Sequence, residues 1–305
     1  MESDSKSLMA LRGRLAETDT LPSSQERVIL DCRQLEEWFV GTYGTGIDPD
    51  DVAMTSADLA DFRNWVLRRV QASTCSRKLA SIRSMLKLLA PQVLTTIRMP
   101  KLPACPKPAP SGFTRRERLA IARGISRLNV RDRAICTVAL WTGARASSIA
   151  ELKLSNVDLR PRSGSVTFDV LKGSRGGRTV TVPANVELRD ALAAWVAIRP
   201  PVEHDHLFCS ERYPFEGITR WTVHDICHRR LARELPRELA DKLKGTHQAR
   251  HSLARLLIQQ GVPLPDVAAI LGHSSVATTA NIYMRPSESD LRNHLERAVG
   301  EKPQE

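Results

Sequence analysis

The sequence has few aromatic side chains and no closely spaced pair of cysteines. Aromatic residues make up 5% of the 305 residues, and 3 of them are tyrosines, namely Tyr43, Tyr213 and Tyr283. This scarcity disfavours an RNA-binding surface, on which exposed rings stack against bases. The 6 cysteines are scattered without a C-x-x-C pair, which predicts reduced structural thiols instead of a disulfide framework or a cysteine zinc site.

Long apolar runs are also missing. No stretch approaches the roughly 18 consecutive apolar residues that a membrane-spanning helix needs. The N-terminal stretch, MESDSKSLMALRGRLAETDT, is polar and lacks the apolar segment of a signal peptide. These two absences predict a cytoplasmic protein that does not bind a membrane.

Acidic side chains are outnumbered by basic ones. The 34 Asp and Glu residues stand against 45 Lys and Arg residues, which gives a formal net charge of +11 and a pI of about 9.8. This surplus suits a polyanionic partner, either nucleic acid or an anionic membrane surface. The length suffices for about two domains of ordinary size.

Residues 1–98 predict a helical N-terminal domain. Apolar residues recur at helical spacing in three stretches, which begin near Ser24, Thr55 and Ser73. The third stretch carries basic residues on its opposite face. Such a stripe fits a DNA groove but is also typical of a solvated charged helix face. The candidate DNA-binding residues on this face are Arg77, Lys78, Arg83 and Lys87.

Residues 99–113 predict an extended linker between two domains. The stretch MPKLPACPKPAPSG contains five prolines and two lysines. Proline fixes the backbone φ angle and lacks the N–H that a helix requires, so this density favours a semi-rigid connector. Residues 114–305 then form the second domain.

The second domain is predicted to be mostly helical with one small antiparallel sheet. The stretch SVTFDVL, from Ser165, alternates in polarity and is rich in β-formers, and RTVTV, from Arg178, is its predicted partner. The glycines of KGSRGG between them suit a hairpin loop. The predicted fold class is therefore mainly α, with two domains.

Five short motifs in this second domain together resemble the tyrosine recombinases, the phage integrase family. Each motif alone is weak, but their order and separations are specific over residues 114–290. The resemblance implies a two-domain clamp, in which an N-terminal helical, SAM-like core-binding domain and a catalytic domain hold DNA. The motifs are T-G-A-R ending at Arg145, a hairpin lysine at Lys172, H-x-x-R-H from His247 to His251, L-G-H ending at His273, and T-T-x-x-I-Y ending at Tyr283.

The resemblance implies that three cationic or polar donors hold one DNA phosphate. Arg145 and Arg250 would bind its non-bridging oxygens, because a guanidinium offers a rigid fork of donors. His273 would donate a further hydrogen bond. Because the arginines would stabilise the charge, the resemblance implies neither a metal ion nor another cofactor.

Three further residues would move protons and attack the phosphate. Tyr283 would form a 3′-phosphotyrosine, a bond that a second strand can reverse, so that strands are exchanged through a Holliday junction. Lys172 would give a proton to the leaving deoxyribose oxygen. His247 would accept or relay the tyrosine proton.

The implied partners are double-stranded recombination sites and further copies of the chain. Residues 287–299 read as a capped amphipathic helix, SESDLRNHLERAV. Docking of this helix into a neighbouring copy would build a tetrameric synaptic complex, with an accessory DNA-bending protein or a partner recombinase as further possibilities. The implied setting is integration, excision or resolution of DNA, in a mobile element or in the nucleoid. The alternative functions are a catalytically quiet DNA-binding protein on the same fold and a basic RNA-binding protein.

The sequence departs from the family pattern at two points. The family usually has an acidic residue three positions after Arg145, where this chain has Ser148, and Glu151 lies one helical turn beyond Ser148. Tyr283 follows His273 by ten positions, where many relatives have nine. The first departure bears on how Arg145 is oriented.

The other histidines have non-catalytic interpretations. His251 is predicted to be a supporting or core histidine, because buried side chains of this type are normally hydrogen-bonded. His224 and His228 have a spacing that can bind metal, but no carboxylate or cysteine completes a ligand set in the sequence, so they read as structural or DNA-facing. His204 and His206 lie in a predicted turn.

Overall fold

Two compact units make up the computed structural model, Met1–Lys107 and Pro108–Glu305. The structure describes residues 4–20, 22–102, 112–169, 179–211, 216–273 and 275–283. The division between the units falls within the proline-rich stretch. In the described parts of the chain, no helix has the length and apolar character that crossing a membrane requires.

The first unit is a helical bundle around an apolar core. Local signals set its helix starts: the Ser5 hydroxyl accepts the Leu8 N–H at 3.3 Å, and Thr55 and Asp58 form a reciprocal capping box. The core contains the fully buried Leu35 and Phe62. The helices are α1 (Lys6–Ala16), α2 (Pro22–Tyr43), α3 (Ser56–Leu67), α4 (Ala72–Leu89) and the short α5 (Val93–Thr96).

A buried carboxylate joins α2 to α4. Asp31, on α2, is 2% exposed and accepts hydrogen bonds from the Ser81 hydroxyl at 2.8 Å and from Lys78 at 3.2 Å. Arg77 forms an ion pair with the same carboxylate. A buried charge is tolerated only when it is paired in this way, so the basic face of α4 has a structural role in holding two helices together.

The second unit is mostly helical, and α7 runs through its core. Ten residues of α7 are buried, and the helix packs against α9 and α12. The helices of this unit are α6 (Arg115–Ile125), α7 (Val130–Thr142), α8 (Ala146–Ala150), α9 (Val186–Ile198), α10 (Arg220–Asp225), α11 (Arg237–Lys242), α12 (Thr246–Gln259), α13 (Leu264–Leu271) and α14 (Val276–Tyr283). A π-helical turn, Ile226–Arg230, continues α10.

Within the described residues, β1 (Val157–Asp158), β2 (Ser165–Asp169) and β3 (Thr179–Pro183) form an antiparallel sheet in that order. Thr167 lies opposite Thr181, with their hydroxyl oxygens 3.0 Å apart. The mainly helical class with a small antiparallel sheet is thus confirmed, and β1 is an addition that the alternation did not predict. The predicted hairpin loop and Lys172 lie outside the described residues.

Candidate active site

A tight turn at the end of α7 places Arg145. The helix ends at Gly143, whose φ of +62° lies in the left-handed region. A Cβ atom at this position would approach the side chains of Leu253 and Leu271 to 3.2 Å. The turn therefore needs glycine twice over, for its backbone angle and for the close packing of α12 and α13. Arg145 follows as the residue that precedes α8.

Arg250 links the ends of two helices. It lies on α12 and is 5% exposed. Its Nη1 donates to the Gly143 carbonyl at 2.8 Å, and its Nη2 donates to the Leu271 carbonyl at the end of α13. Because carbonyl groups at helix C-termini carry partial negative charge, they orient a cation well. The guanidinium is held in one orientation by the backbone around it.

His273 lies just beyond the second left-handed glycine, Gly272, which ends α13 with φ +64°. The imidazole is 7% exposed, and its Nδ1 lies 2.7 Å from the hydroxyl of the buried Thr279 on α14. With that hydroxyl donating to Nδ1, the ring carries its proton on Nε2 and can donate there. Burial, followed by the nearby charges of Arg250 and Arg145, lowers the pKa of His273 to about 4. The ring is therefore neutral at pH 7.

The two arginines share one cleft. It has a volume of about 300 Å³ and opens to solvent, and its walls come from the turn after α7, the ends of β2 and β3, and the end of α13. Arg145 and Arg250 both line it, together with Ser148 and Asp169. The charges of both arginines act on His273, which places that ring beside the same cleft. Two guanidinium groups converging on an open cleft form a site for an oxyanion.

The first turns of α12 carry the remaining histidines of the motif. His247 is exposed, whereas His251 is half-buried and its pKa is lowered by burial and then by the charges of His247 and Arg250. Gly245, with φ +70°, precedes the helix and packs against the ring of His224. The turn before α12 thereby fixes where the helix begins relative to α10.

The structure does not describe every predicted site residue. Lys172 lies outside the described residues. Tyr283 is the last residue of α14, and the position of its side chain is not described. Arg83 and Lys87 are exposed on α4, in contrast to Arg77 and Lys78, which pair with Asp31. The catalytic and DNA-binding roles of all these residues stay predictions.

The remaining histidine pairs show no metal site. The rings of His224 and His228 are 5.4 Å apart, and those of His204 and His206 are 5.5 Å apart. Among the described residues, no group of three or more His, Cys, Asp or Glu side chains is placed to hold a metal ion.

Sequence reasoning missed two residues near the site. Thr279 lies four positions before Tyr283 on α14, and its hydroxyl meets His273. Asp169 ends β2 at the rim of the cleft. The two threonines of the T-T-x-x-I-Y motif offered a signal for Thr279. Nothing in the sequence distinguished Asp169 from any other polar residue at a strand end.

Acid should weaken the fold through His273. An unfolded histidine titrates near pH 6.5, whereas burial holds the pKa of His273 at about 4. The unfolded state therefore binds the proton first, and this contribution, present above pH 6.5, is lost as the pH falls through 4. We expect wild type to lose on the order of 2 kcal/mol more than His273→Gln over this range. Urea unfolding of both proteins from pH 7.5 to 4 measures the difference, and parallel profiles would contradict the prediction.

The sequence matches a known family over more than half of the chain. Residues 115–290 match the model of the Phage integrase family. The chain is 29% identical over 203 residues to the tyrosine recombinase XerA of Pyrococcus furiosus, in an alignment that covers 66% of this chain and 65% of the relative. It is 24% identical over 261 residues to the tyrosine recombinase XerC of Staphylococcus carnosus, which covers 81% of this chain and 83% of that protein. The chain thus spans slightly less than two thirds of the archaeal relative.

Solved structures share the fold. The XerH site-specific recombinase bound to its difH substrate, in a pre-cleavage complex, has a TM-score of 0.71 at 18% identity, covering 98% of this chain and 86% of that one. The Tn1549 transposon integrase in complex with transposon right end DNA has a TM-score of 0.69 at 16% identity, covering 96% of this chain and 99% of that one. At such low identities, the likeness is one of fold.

Proposed function

The chain belongs to the phage integrase family of tyrosine recombinases, and from this membership we propose that it recombines DNA at specific sites. It would cut and rejoin strands through a covalent 3′-phosphotyrosine intermediate and a Holliday junction. The observation that carries the proposal is the pair of guanidinium groups, Arg145 and Arg250, in one cleft beside a neutral His273. Such a site suits a phosphodiester.

The cleft residues would stabilise the charge that develops as the phosphate is attacked. Arg250 is pre-oriented by the Gly143 and Leu271 carbonyls, so it needs little rearrangement when the phosphate binds. Arg145 would bind a second oxygen, and the Nε2 proton of His273 would be donated as a third contact. In this chemistry, cationic side chains take the place of a divalent metal ion, so we propose that none is required.

Helix α14 would carry the nucleophile. The contact between Thr279 and His273 ties this helix to the end of α13, and Tyr283 lies about one helical turn beyond Thr279. A phenol has a pKa near 10 and becomes a useful nucleophile only beside donors that stabilise the attacked group. In the proposed reaction His247 accepts or relays the phenol proton, and Lys172 protonates the leaving oxygen.

DNA would be held by both units as a clamp. The net charge of +11 favours association with a polyanion, and the exposed Arg83 and Lys87 are the proposed contacts of the first unit. Arg77 and Lys78 would contribute through the charge that their pairing with Asp31 leaves over. A DNA substrate would place the protein with the nucleoid in the cytoplasm.

Covalent capture tests this function on every possible target sequence at once. Wild-type protein is incubated with a pool of random-sequence duplexes that carry nicks, so that a cleaved strand end is lost and rejoining is blocked. After denaturation in SDS, the protein is recovered and the attached strands are sequenced. We expect one family of related sequences, released by protease and obtained equally in EDTA.

The result also separates the proposal from its main alternative. A protein that retains duplexes under native conditions but never after denaturation would be a DNA-binding protein without strand-cleaving activity. That outcome would overturn the proposed function. Loss of attachment in EDTA would overturn only the metal-free chemistry.

We further propose that residues 287–305 dock into a neighbouring copy and so assemble a tetramer on two DNA sites. Deletion of this segment should leave binding to a single captured site intact and should abolish the larger complexes that pair two sites. Native gel shifts with one site and with two linked sites measure both properties. Synaptic complexes formed by the truncated protein would contradict this part of the proposal.

A further inference from the structure

The cleft proposed to bind a phosphate also contains a negative charge. Asp169, the last residue of β2, is the single acidic side chain among the described residues that line it. A carboxylate beside an anion-binding site repels the anion, unless it is engaged by a cation of its own. The cation that Asp169 serves can be sought among the neighbouring basic side chains.

The described contacts leave one candidate. Arg250 is held by the backbone carbonyls of two helix ends, and the Lys153 ammonium lies 3.0 Å from Asp205. Arg145 is half-buried, lines the same cleft as Asp169, and makes no hydrogen bond or ion pair to any described residue. It therefore lacks the fixed orientation that Arg250 has.

The neighbours of Arg145 on its own helix do not supply a carboxylate to the cleft. Ser148 lines the cleft but carries no charge, and Glu151 is exposed at the end of α8 and does not line it. A long arginine side chain loses rotamer freedom when it is fixed, and an uncharged hydroxyl offsets this only weakly. A carboxylate can bind one edge of the guanidinium and leave the other donors for an oxyanion.

We propose that Asp169 is a positioning residue that holds Arg145 in the orientation needed to bind the scissile phosphate. This inference rests on the proposed function and deepens it, because it assigns to a strand residue the support that α8 lacks. The carboxylate acts on the phosphate through Arg145 and does not touch the DNA itself.

The main test is Asp169→Asn, assayed by covalent capture on a nicked substrate with a captured sequence. We expect the single-turnover cleavage rate to fall about 10- to 100-fold, with site affinity retained. Asp169→Glu, which keeps the carboxylate, should recover most of the rate. Glu151→Gln removes one exposed negative charge from the end of α8 and should cleave at the wild-type rate.

A compensating variant tests the mechanism directly. Ser148→Asp places a carboxylate on another wall of the cleft, so the double variant Ser148→Asp/Asp169→Asn should regain rate relative to Asp169→Asn alone. A purely structural role of Asp169 at the end of β2 would give no such recovery, because the two residues lie on different elements.

A substrate with sulfur in place of the leaving oxygen distinguishes Arg145 from Lys172 as the group that Asp169 supports. A thiolate leaves without needing a proton, so this substrate bypasses a fault in proton donation. We expect the Asp169→Asn defect to persist on it. Full recovery on the sulfur substrate, or a wild-type rate for Asp169→Asn on the ordinary one, would overturn the inference while leaving the proposed function intact. Absence of covalent attachment by wild type would instead overturn both.

Discussion

Replacing Tyr283 with phenylalanine should abolish covalent attachment to DNA and leave affinity for the recombination site unchanged. Phenylalanine keeps the ring and removes the one oxygen that the proposed mechanism uses as nucleophile. Because removal of a nucleophile eliminates the covalent step, we expect attachment to drop by about 10⁴-fold or more. SDS-resistant complexes and native gel shifts on one labelled duplex measure the two properties together.

A second tyrosine serves as the matched control. Tyr43 ends α2 in the first unit, and its hydroxyl donates to Asp58 on the surface. Tyr43→Phe removes an exposed hydrogen bond by the same chemical change, so its attachment should equal that of wild type. If Tyr283→Phe protein still attached to DNA, another residue would be the nucleophile, and peptide mapping of the adduct would identify it.

Local signals explain why much of the fold could be predicted. The capping residues Thr55 and Thr114 each accept the N–H that begins a helix, with Asp58 and Glu117 returning the contact as the sequence pattern predicts. The alternation of Ser165–Asp169 likewise predicts a strand with one buried face. Helices and hairpins of this kind are specified by residues close in sequence.

The family could also be predicted, because its motifs sit where the backbone leaves little choice. Gly143 and Gly272 occupy left-handed positions that place Arg145 and His273 just beyond two helix ends. A motif of this type records a backbone geometry as well as a reactive group. The match over residues 115–290 confirms the assignment to the family.

Contacts between distant residues could not be predicted. The basic stripe of α4 gave no sign that Arg77 and Lys78 meet the buried Asp31, which lies 46 and 47 positions away in the chain. Asp169 and Arg145 likewise share a cleft only because the sheet packs beside the end of α7. Charge patterns show which side chains are available but not which of them face each other.

Arg250→Lys should lower the cleavage rate by about 10²- to 10³-fold, the range seen when one donor to a developing oxyanion is lost. Lysine keeps the positive charge but concentrates its donors on one nitrogen, whereas the guanidinium reaches the Gly143 and Leu271 carbonyls through separate nitrogens. At least one buried carbonyl would lose its partner, which should cost about 1–3 kcal/mol of unfolding free energy.

Arg255→Lys on the same helix is the control, because Arg255 is exposed. It should change the unfolding free energy by less than about 0.5 kcal/mol and leave cleavage unaltered. Single-turnover capture and urea unfolding of both variants separate the two roles of Arg250. If Arg250→Lys lost stability but cleaved at the wild-type rate, the guanidinium would only join α7 to α13. If it lost rate as well, the same side chain would both build the cleft and bind the phosphate. We expect the second outcome, since the carbonyls that hold Arg250 also fix it on the wall of the cleft that Arg145 shares.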